Sequence, residues 1–126
     1  MKVERIDHLV LTVKDVDETC SFYQEILGME VETVSPRKKA LKFGNQRLEL
    51  RPKGREFFAT AHLTIPGTID ICFVVTESIE QVKSELESKN IPIEGMVQRS
   101  GAAVKLHSVY FRDPDQNLIE VCSYAS

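Results

Sequence analysis

Nothing in this sequence runs apolar for anything near the roughly 18 residues that a membrane-crossing helix needs. A transmembrane helix is therefore not expected. The opening Met1-Lys2-Val3-Glu4-Arg5 lacks the apolar stretch of a secretory signal, so a cytoplasmic location is the expectation. Charge of one sign is scarce as well: 19 acidic residues stand against 16 basic ones, with no long run of either, which argues against a nucleic-acid surface. Cysteine is sparse, and Cys20, Cys72 and Cys122 show neither an even number nor metal-type spacing. Reduced thiols are expected rather than a disulfide framework. The 126 residues suit one compact domain, residues 1–126, burying ~65 % of the surface its unfolded chain exposes.

What the chain does have is an internal echo. Ile6-Asp7-His8-Leu9-Val10-Leu11-Thr12-Val13 is answered by Thr68-Ile69-Asp70-Ile71-Cys72-Phe73-Val74-Val75, and Arg47-Leu48-Glu49-Leu50 by Leu118-Ile119-Glu120-Val121. Laid over each other, the halves set His8 opposite Asp70 and Glu49 opposite Glu120. These are four side chains able to hold a metal or move a proton, at matching points of a tandem repeat. A two-fold related site follows if the halves pack face to face.

Periodicity fills in the elements. Residues 4–13 alternate as a strand; Asp15 then opens a helix, with Glu18 in capping-box spacing and Val16, Cys20, Tyr23 and Leu27 on one stripe. Gly28 closes that helix as a left-handed cap. Strands over 29–35, 38–44 and 46–52 follow, broken at Ser35-Pro36 and Gly44-Asn45. The order then repeats: a strand over 68–76, a capping box at Ser78-Ile79-Glu80-Gln81, helical Ile79, Val82 and Leu86, a stop at Asn90 and Pro92, and strands over 93–98, 104–112 and 117–124. The turn Asp113-Pro114-Asp115-Gln116-Asn117 joins the last two. Unit one covers about 1–52 and unit two about 67–126; the segment 53–66 between them is long enough for a lid or an entrance loop.

The fold class expected is α+β: two tandem βαβββ units whose curved mixed sheets surround a polar cavity, with helices on the outer faces. Parity assigns the faces. Leu9, Leu11, Val13, Ile71, Phe73, Val75, Ile119 and Val121 belong under the helices. His8, Val10, Thr12, Arg47, Glu49, Arg51, Asp70, Cys72, Ser108, Tyr110, Glu120 and Cys122 take the other side, which is too polar to be a core.

Residues 6–15, with Phe22-Tyr23 and Leu27-Gly28-Met29, together with Tyr110-Phe111-Arg112-Asp113-Pro114-Asp115-Gln116-Asn117-Leu118-Ile119-Glu120-Val121, resemble the opening and close of the vicinal oxygen chelate superfamily. That superfamily holds glyoxalase I, extradiol dioxygenases, fosfomycin-resistance transferases and bleomycin-binding proteins. Residues 66–72 are most similar to the glyoxalase domain-containing protein 5 group and its bacterial lactoylglutathione-lyase-like relatives. The resemblance implies metal ligands on the first and last strands of each unit, here His8, Glu49, Asp70 and Glu120, with Glu49 and Glu120 as candidate catalytic bases. It departs at Asp70, where His is usual. One nitrogen and three carboxylates suit Mn²⁺ or Mg²⁺ better than Zn²⁺, with Ni²⁺ also in the candidate set. An extradiol dioxygenase wants two histidines at these places, and a fosfomycin-type transferase a second one. A glyoxalase-like lyase or isomerase step on a small, anionic molecule with vicinal oxygens is the leading implication, and a homodimer its expected assembly. The alternative is a metal-free binding or resistance protein of the bleomycin-resistance type, with the same side chains forming an ion-paired polar cluster.

The remaining candidates divide between roles. Arg51, Ser108 and Tyr110 are candidate substrate-binding residues. Arg47, Arg51, Lys53 and Arg55 would favour an anionic ligand, or would serve as edge charges that block aggregation. Phe57 and Phe58 would cap a ligand or pack on a partner subunit. His62 suits a surface loop better than a proton shuttle, His107 has the parity of the helix side, and Cys72 and Cys122 read as small buried thiols.

Overall fold

The computed structural model describes residues 1–36, 38–54, 59–100 and 105–124, with the side chains of Arg99, Ser100 and Lys105 left aside. The chain folds as two compact units, Met1–Thr68 and Ile69–Ser126. Each is a four-stranded mixed sheet with one helix, in the order βαβββ.

In the first unit β1 (His8–Val13) leads into α1 (Val16–Leu27), then β2 (Glu30–Ser35), β3 (Lys38–Phe43) and β4 (Gln46–Pro52). Asp15 caps the helix by accepting the Glu18 backbone N–H at 3.0 Å, and Gly28 ends it at φ 66°, where a side chain would be strained. The sheet order is β1-β4-β3-β2, with β1 parallel to β4 and the other pairs antiparallel. Leu11, Val13, Leu41, Leu48 and Leu50 are buried on one face, and α1 covers that face with Thr19, Cys20 and Tyr23. Truncating a buried ring such as Tyr23 to Ala would cost about 3–5 kcal/mol. Lys39 Nζ reaches Asp17 Oδ1 at 3.0 Å and bridges β3 to the helix.

Two expectations need adjusting here. The first strand begins at His8 rather than at residue 4, because His8 pairs with Arg47 near the start of β4 and earlier residues find no ladder partner. Leu9, expected under the helix, pairs with Leu48 but is 45 % exposed near the start of β1, an edge strand of its sheet.

The second unit repeats the plan with β5 (Asp70–Val75), α2 (Ile79–Ser88), β6 (Gly95–Ser100), β7 (Lys105–Arg112) and β8 (Leu118–Ser123), in the sheet order β5-β8-β7-β6. Ser78 forms the reciprocal capping box with Gln81, and Asn90 takes a left-handed φ of 58° just past the helix. Ile79, Val82 and Leu86 cover Phe73, Val109, Phe111, Ile119 and Val121.

A buried polar knot joins the ends of its strands. The Asp113 carboxylate accepts the backbone N–H groups of Asp115 and Asn117 and the Asn117 side-chain amide, at 2.9 to 3.0 Å. Asn117 Oδ1 in turn accepts the Ile69 N–H at 2.9 Å. The sequence showed a turn there; the link from that turn to the start of β5 comes from the structure.

Among the described residues no helix is long and apolar enough to cross a membrane. Arg55, Phe57 and Phe58, and with them part of the expected lid, lie outside the described residues.

Candidate functional site

Cross-strand register gathers the polar side chains row by row. In the first unit His8, Arg47, Lys42 and Glu30 stand in one row across β1, β4, β3 and β2; Val10, Glu49, Ala40 and Glu32 stand in the next. Directly opposed residues share a face, so both rows lie on the side away from α1.

Glu49 is the hub. Only 4 % exposed, its carboxylate is held by Lys38 Nζ at 3.0 Å on Oε1 and by His8 Nε2 at 3.0 Å on Oε2, with an Arg47 Nη2 at 3.7 Å. Burial alone would raise its pKa. The Lys38 hydrogen bond and the charges of His8, Lys38 and Arg47 outweigh that, so the group sits below the ordinary carboxylate value. His8 is gripped from its other side: Nδ1 lies 2.8 Å from Asp7 Oδ2. The His8 contact, set against burial and joined by Arg47, lowers the Asp7 pKa.

This is the local arrangement of a histidine ligand: a carboxylate fixes one ring nitrogen and the other faces a second carboxylate. Two adjacent ligands each about 2.1 Å from one ion and near right angles would stand about 3 Å apart, which is the His8–Glu49 separation of 3.0 Å. The Lys38 contact uses the other carboxylate oxygen. The two groups therefore fit half of a divalent-metal site. Without an ion, an imidazole between two carboxylates satisfies both only as the two-donor cation.

In the second unit the corresponding rows are Asp70, Leu118 and Arg112, then Cys72, Glu120, Tyr110 and Gly95, then Val74, Cys122, Ser108 and Val97. Ser108 is buried and its hydroxyl donates to Glu120 Oε2 at 2.8 Å. The Cys72 and Cys122 sulfurs are 3.5 Å apart. Cys72, expected buried, is exposed, while Cys122 is buried as expected. Even so, the Cys72 sulfur is turned toward Cys122 and Glu120. Its pKa is pushed up to about 12 by desolvation, then by the second thiol, then by the Glu120 charge. Asp70 is exposed at the start of β5. Arg112, in the same row, forms a two-pronged ion pair with Glu94 at 2.8 and 3.1 Å.

Of the four expected ligands, then, the structure brings His8 and Glu49 into contact and stations Asp70 and Glu120 at the equivalent diagonal positions of the other sheet. Among the described residues, no three His, Cys, Asp or Glu side chains form a metal-holding group. Arg51 lies half-buried at the end of β4, where its guanidinium donates to the Ala59 carbonyl at 3.1 Å. Tyr110 is directly opposite Glu120, and His107 is on the helix side as parity indicates.

Sequence reasoning missed Lys38 and Asp7. The repeat carried a signal for the first: Lys38 precedes Ala40 by two residues as Ser108 precedes Tyr110, and each donates to the glutamate of its unit. Asp7 escapes parity because it precedes the strand, which frees it to bond its sequence neighbour.

Residues 5–121 match the family model described as Glyoxalase/Bleomycin resistance protein/Dioxygenase superfamily. The chain is 45 % identical to Virulence protein STM3117 of Salmonella typhimurium, over 98 % of its own length and 87 % of that protein. The crystal structure of that relative superposes with a TM-score of 0.91 over 99 % of this chain and 100 % of the other, at 44 % identity. This chain is also 44 % identical to glyoxalase domain-containing protein RDO1 of Mycosarcoma maydis, over 98 % of its own length and 70 % of that protein. A lactoylglutathione lyase from Agrobacterium tumefaciens has a TM-score of 0.78 at 27 % identity, covering 98 % of this chain and 96 % of its own.

Proposed function

Because the chain belongs to the glyoxalase/bleomycin resistance protein/dioxygenase superfamily, we propose that it is a divalent-metal-dependent lyase or isomerase of glyoxalase type. Its substrate would be a small molecule carrying oxygens on neighbouring carbons, and its working form a cytoplasmic homodimer. The observation that carries this reading is the Asp7–His8–Glu49 chain, with contacts of 2.8 and 3.0 Å on the two ring nitrogens of His8. The relative named lactoylglutathione lyase supports the reaction class.

In this reading His8 and Glu49 of the first unit and Asp70 and Glu120 of the second would hold the ion. Bound there, a divalent cation supplies Lewis acidity toward a substrate carbonyl. The protein's own residues do the rest. Asp7 keeps the His8 proton on Nδ1, so that Nε2 offers a lone pair. Lys38 holds Glu49 Oε1 and orients the carboxylate. Glu120 is the base that moves a proton between adjacent carbons, with Oε2 steadied by the Ser108 hydroxyl at 2.8 Å. Tyr110, across the ladder from Glu120, supplies a phenol donor to a substrate oxygen, and Arg51 a cation at the end of β4.

A second reading is favoured by one specific observation: Glu49 already has a lysine, a histidine and an arginine around it. A carboxylate so neutralised suits a metal-free binding protein. The experiment that separates the two is metal analysis of protein purified without chelator, followed by titration with Mn²⁺, Ni²⁺, Mg²⁺ and Zn²⁺ on wild type and Glu120→Gln. Stoichiometric uptake lost in the variant supports the lyase; no uptake by wild type, with ligand-dependent thermal stabilisation intact in both, supports the binding protein.

A further inference from the structure

A pocket of about 500 Å³ opens at the end of the first sheet, lined by Arg5, Asp7, Lys42, Asn45, Gln46 and Arg47 among others. Its volume suits a small organic ligand. Three of these side chains are cations and one is a carboxylate, and that carboxylate, Asp7, is engaged by His8 at 2.8 Å. The surplus of positive charge is local, in a chain whose formal net charge is −3.

Three observations point to an anion. First, Lys42 and Arg47 are directly opposed in the β3–β4 ladder, and like charges so placed repel. Glu30 faces Lys42 from β2, yet among the described residues Lys42 closes no ion pair with it or with any other acid. Second, Arg47, which lines the pocket, has its Nε buried with no hydrogen-bond partner, so its guanidinium is incompletely satisfied by the protein. Third, the matching positions of the second unit lack the feature. Arg112 is neutralised by Glu94, and the equivalent of Arg47 is Leu118. The repeat therefore does not require two cations here.

The pocket also adjoins the proposed centre. Arg47 stands 3.7 Å from Glu49 Oε2, and Asp7 touches His8. We propose that this pocket is a recognition site for a doubly charged oxyanion group, a phosphate, phosphonate or pair of carboxylates, carried by the substrate. Arg47 and Lys42 would grip it from adjacent strands, with Arg5 closing from the N-terminal segment. The Asn45 and Gln46 side-chain amides offer neutral donors beside them. The substrate class of the proposed reaction thus narrows to small acids whose charged end lies to one side of the reacting oxygens. This assignment rests on the lyase reading for the word substrate, but the anion site stands or falls by itself.

The test uses metal-free, full-length protein, titrated with inorganic phosphate and, in a second arm, malonate, with chloride holding the ionic strength constant. Calorimetry and thermal melting give the binding and the stabilisation. Wild type is expected to bind at least one of the two anions. Lys42→Gln and Arg5→Gln should each weaken that binding about tenfold, and Lys42→Arg should restore it, while Lys83→Gln, on the surface of α2 and outside the pocket, leaves it unchanged. Failure of both anions to bind, or equal binding by wild type and the Arg5→Gln/Lys42→Gln double variant, overturns the site. Titration with Mn²⁺ in parallel keeps the two proposals apart. Phosphate binding without metal uptake sinks the lyase reading alone, and metal uptake without anion binding sinks this one alone.

Discussion

Glu49 and Glu120 occupy the same place in two copies of one fold, yet they live in different chemical surroundings. The first is ringed by Lys38, His8 and Arg47; the second is met by a serine hydroxyl and a cysteine thiol. The third strand of each unit supplies a donor two residues before the ladder partner, a cation in one half and a neutral hydroxyl in the other. Duplication has kept the scaffold and the acid while the neighbours diverged. The first acid is thereby held as an anion, while the second has only neutral partners.

The sharpest way to break that contrast is to remove each charge in turn. Glu49→Gln leaves Lys38 and Arg47 facing an amide and is expected to cost about 2–3 kcal/mol in urea unfolding, against about 1 kcal/mol for Glu120→Gln, whose partners are neutral. Acid should expose the same asymmetry. Since the Glu49 pKa is lowered in the folded protein from the ordinary 4.5, its stabilising contribution is complete above that value and is lost as the pH falls below it. A melting temperature that drops no less steeply below pH 4.5 in Glu49→Gln than in wild type would contradict the assignment.

Next in size is the reactivity of Cys72. A thiol pushed up to about 12 should alkylate at pH 8 at least about a hundredfold more slowly than an ordinary exposed cysteine, despite its exposure. Glu120→Gln should speed it by removing a nearby charge, whereas Glu49→Gln should not. Mass spectrometry of iodoacetamide-treated protein reads both. Lys38→Ser, which makes the first acid resemble the second, is expected to raise Mn²⁺ affinity about tenfold by removing a competitor for the carboxylate. An unchanged titration curve would show that the lysine and the ion do not compete. The smallest effect belongs to the Arg112–Glu94 pair. It is solvent-exposed, so Arg112→Gln should leave the urea-unfolding midpoint almost where it is in spite of the two-pronged geometry.

Much of this was legible beforehand because it is local. The caps at Asp15, Gly28 and Ser78, the helix stripes and the alternation of β4 and β8 are all written in contiguous residues, and the structure reproduces them within one or two positions. The repeat made the equivalence of Glu49 and Glu120 visible as well. What escaped depends on register between strands far apart in sequence. Lys38 is a salt-bridge partner only once β3 has paired with β4, and the Lys42–Arg47 opposition emerges from the same pairing. The end of β1 was misjudged for a related reason. Where β4 begins decides how much of residues 4–13 finds a neighbour, and Leu9 sits at that margin.

The Asp113–Asn117 knot ties two jobs to one set of bonds. Its Asn117 amide oxygen holds the amide immediately before Asp70, and its backbone leads directly into the strand carrying Glu120. The spacing of those two acids is consequently calibrated from a single buried turn and does not wait for any guest to arrange it. An Asn117→Ala protein that still folded should lose alignment at both acids together, so damage at one loop would be felt as a double displacement.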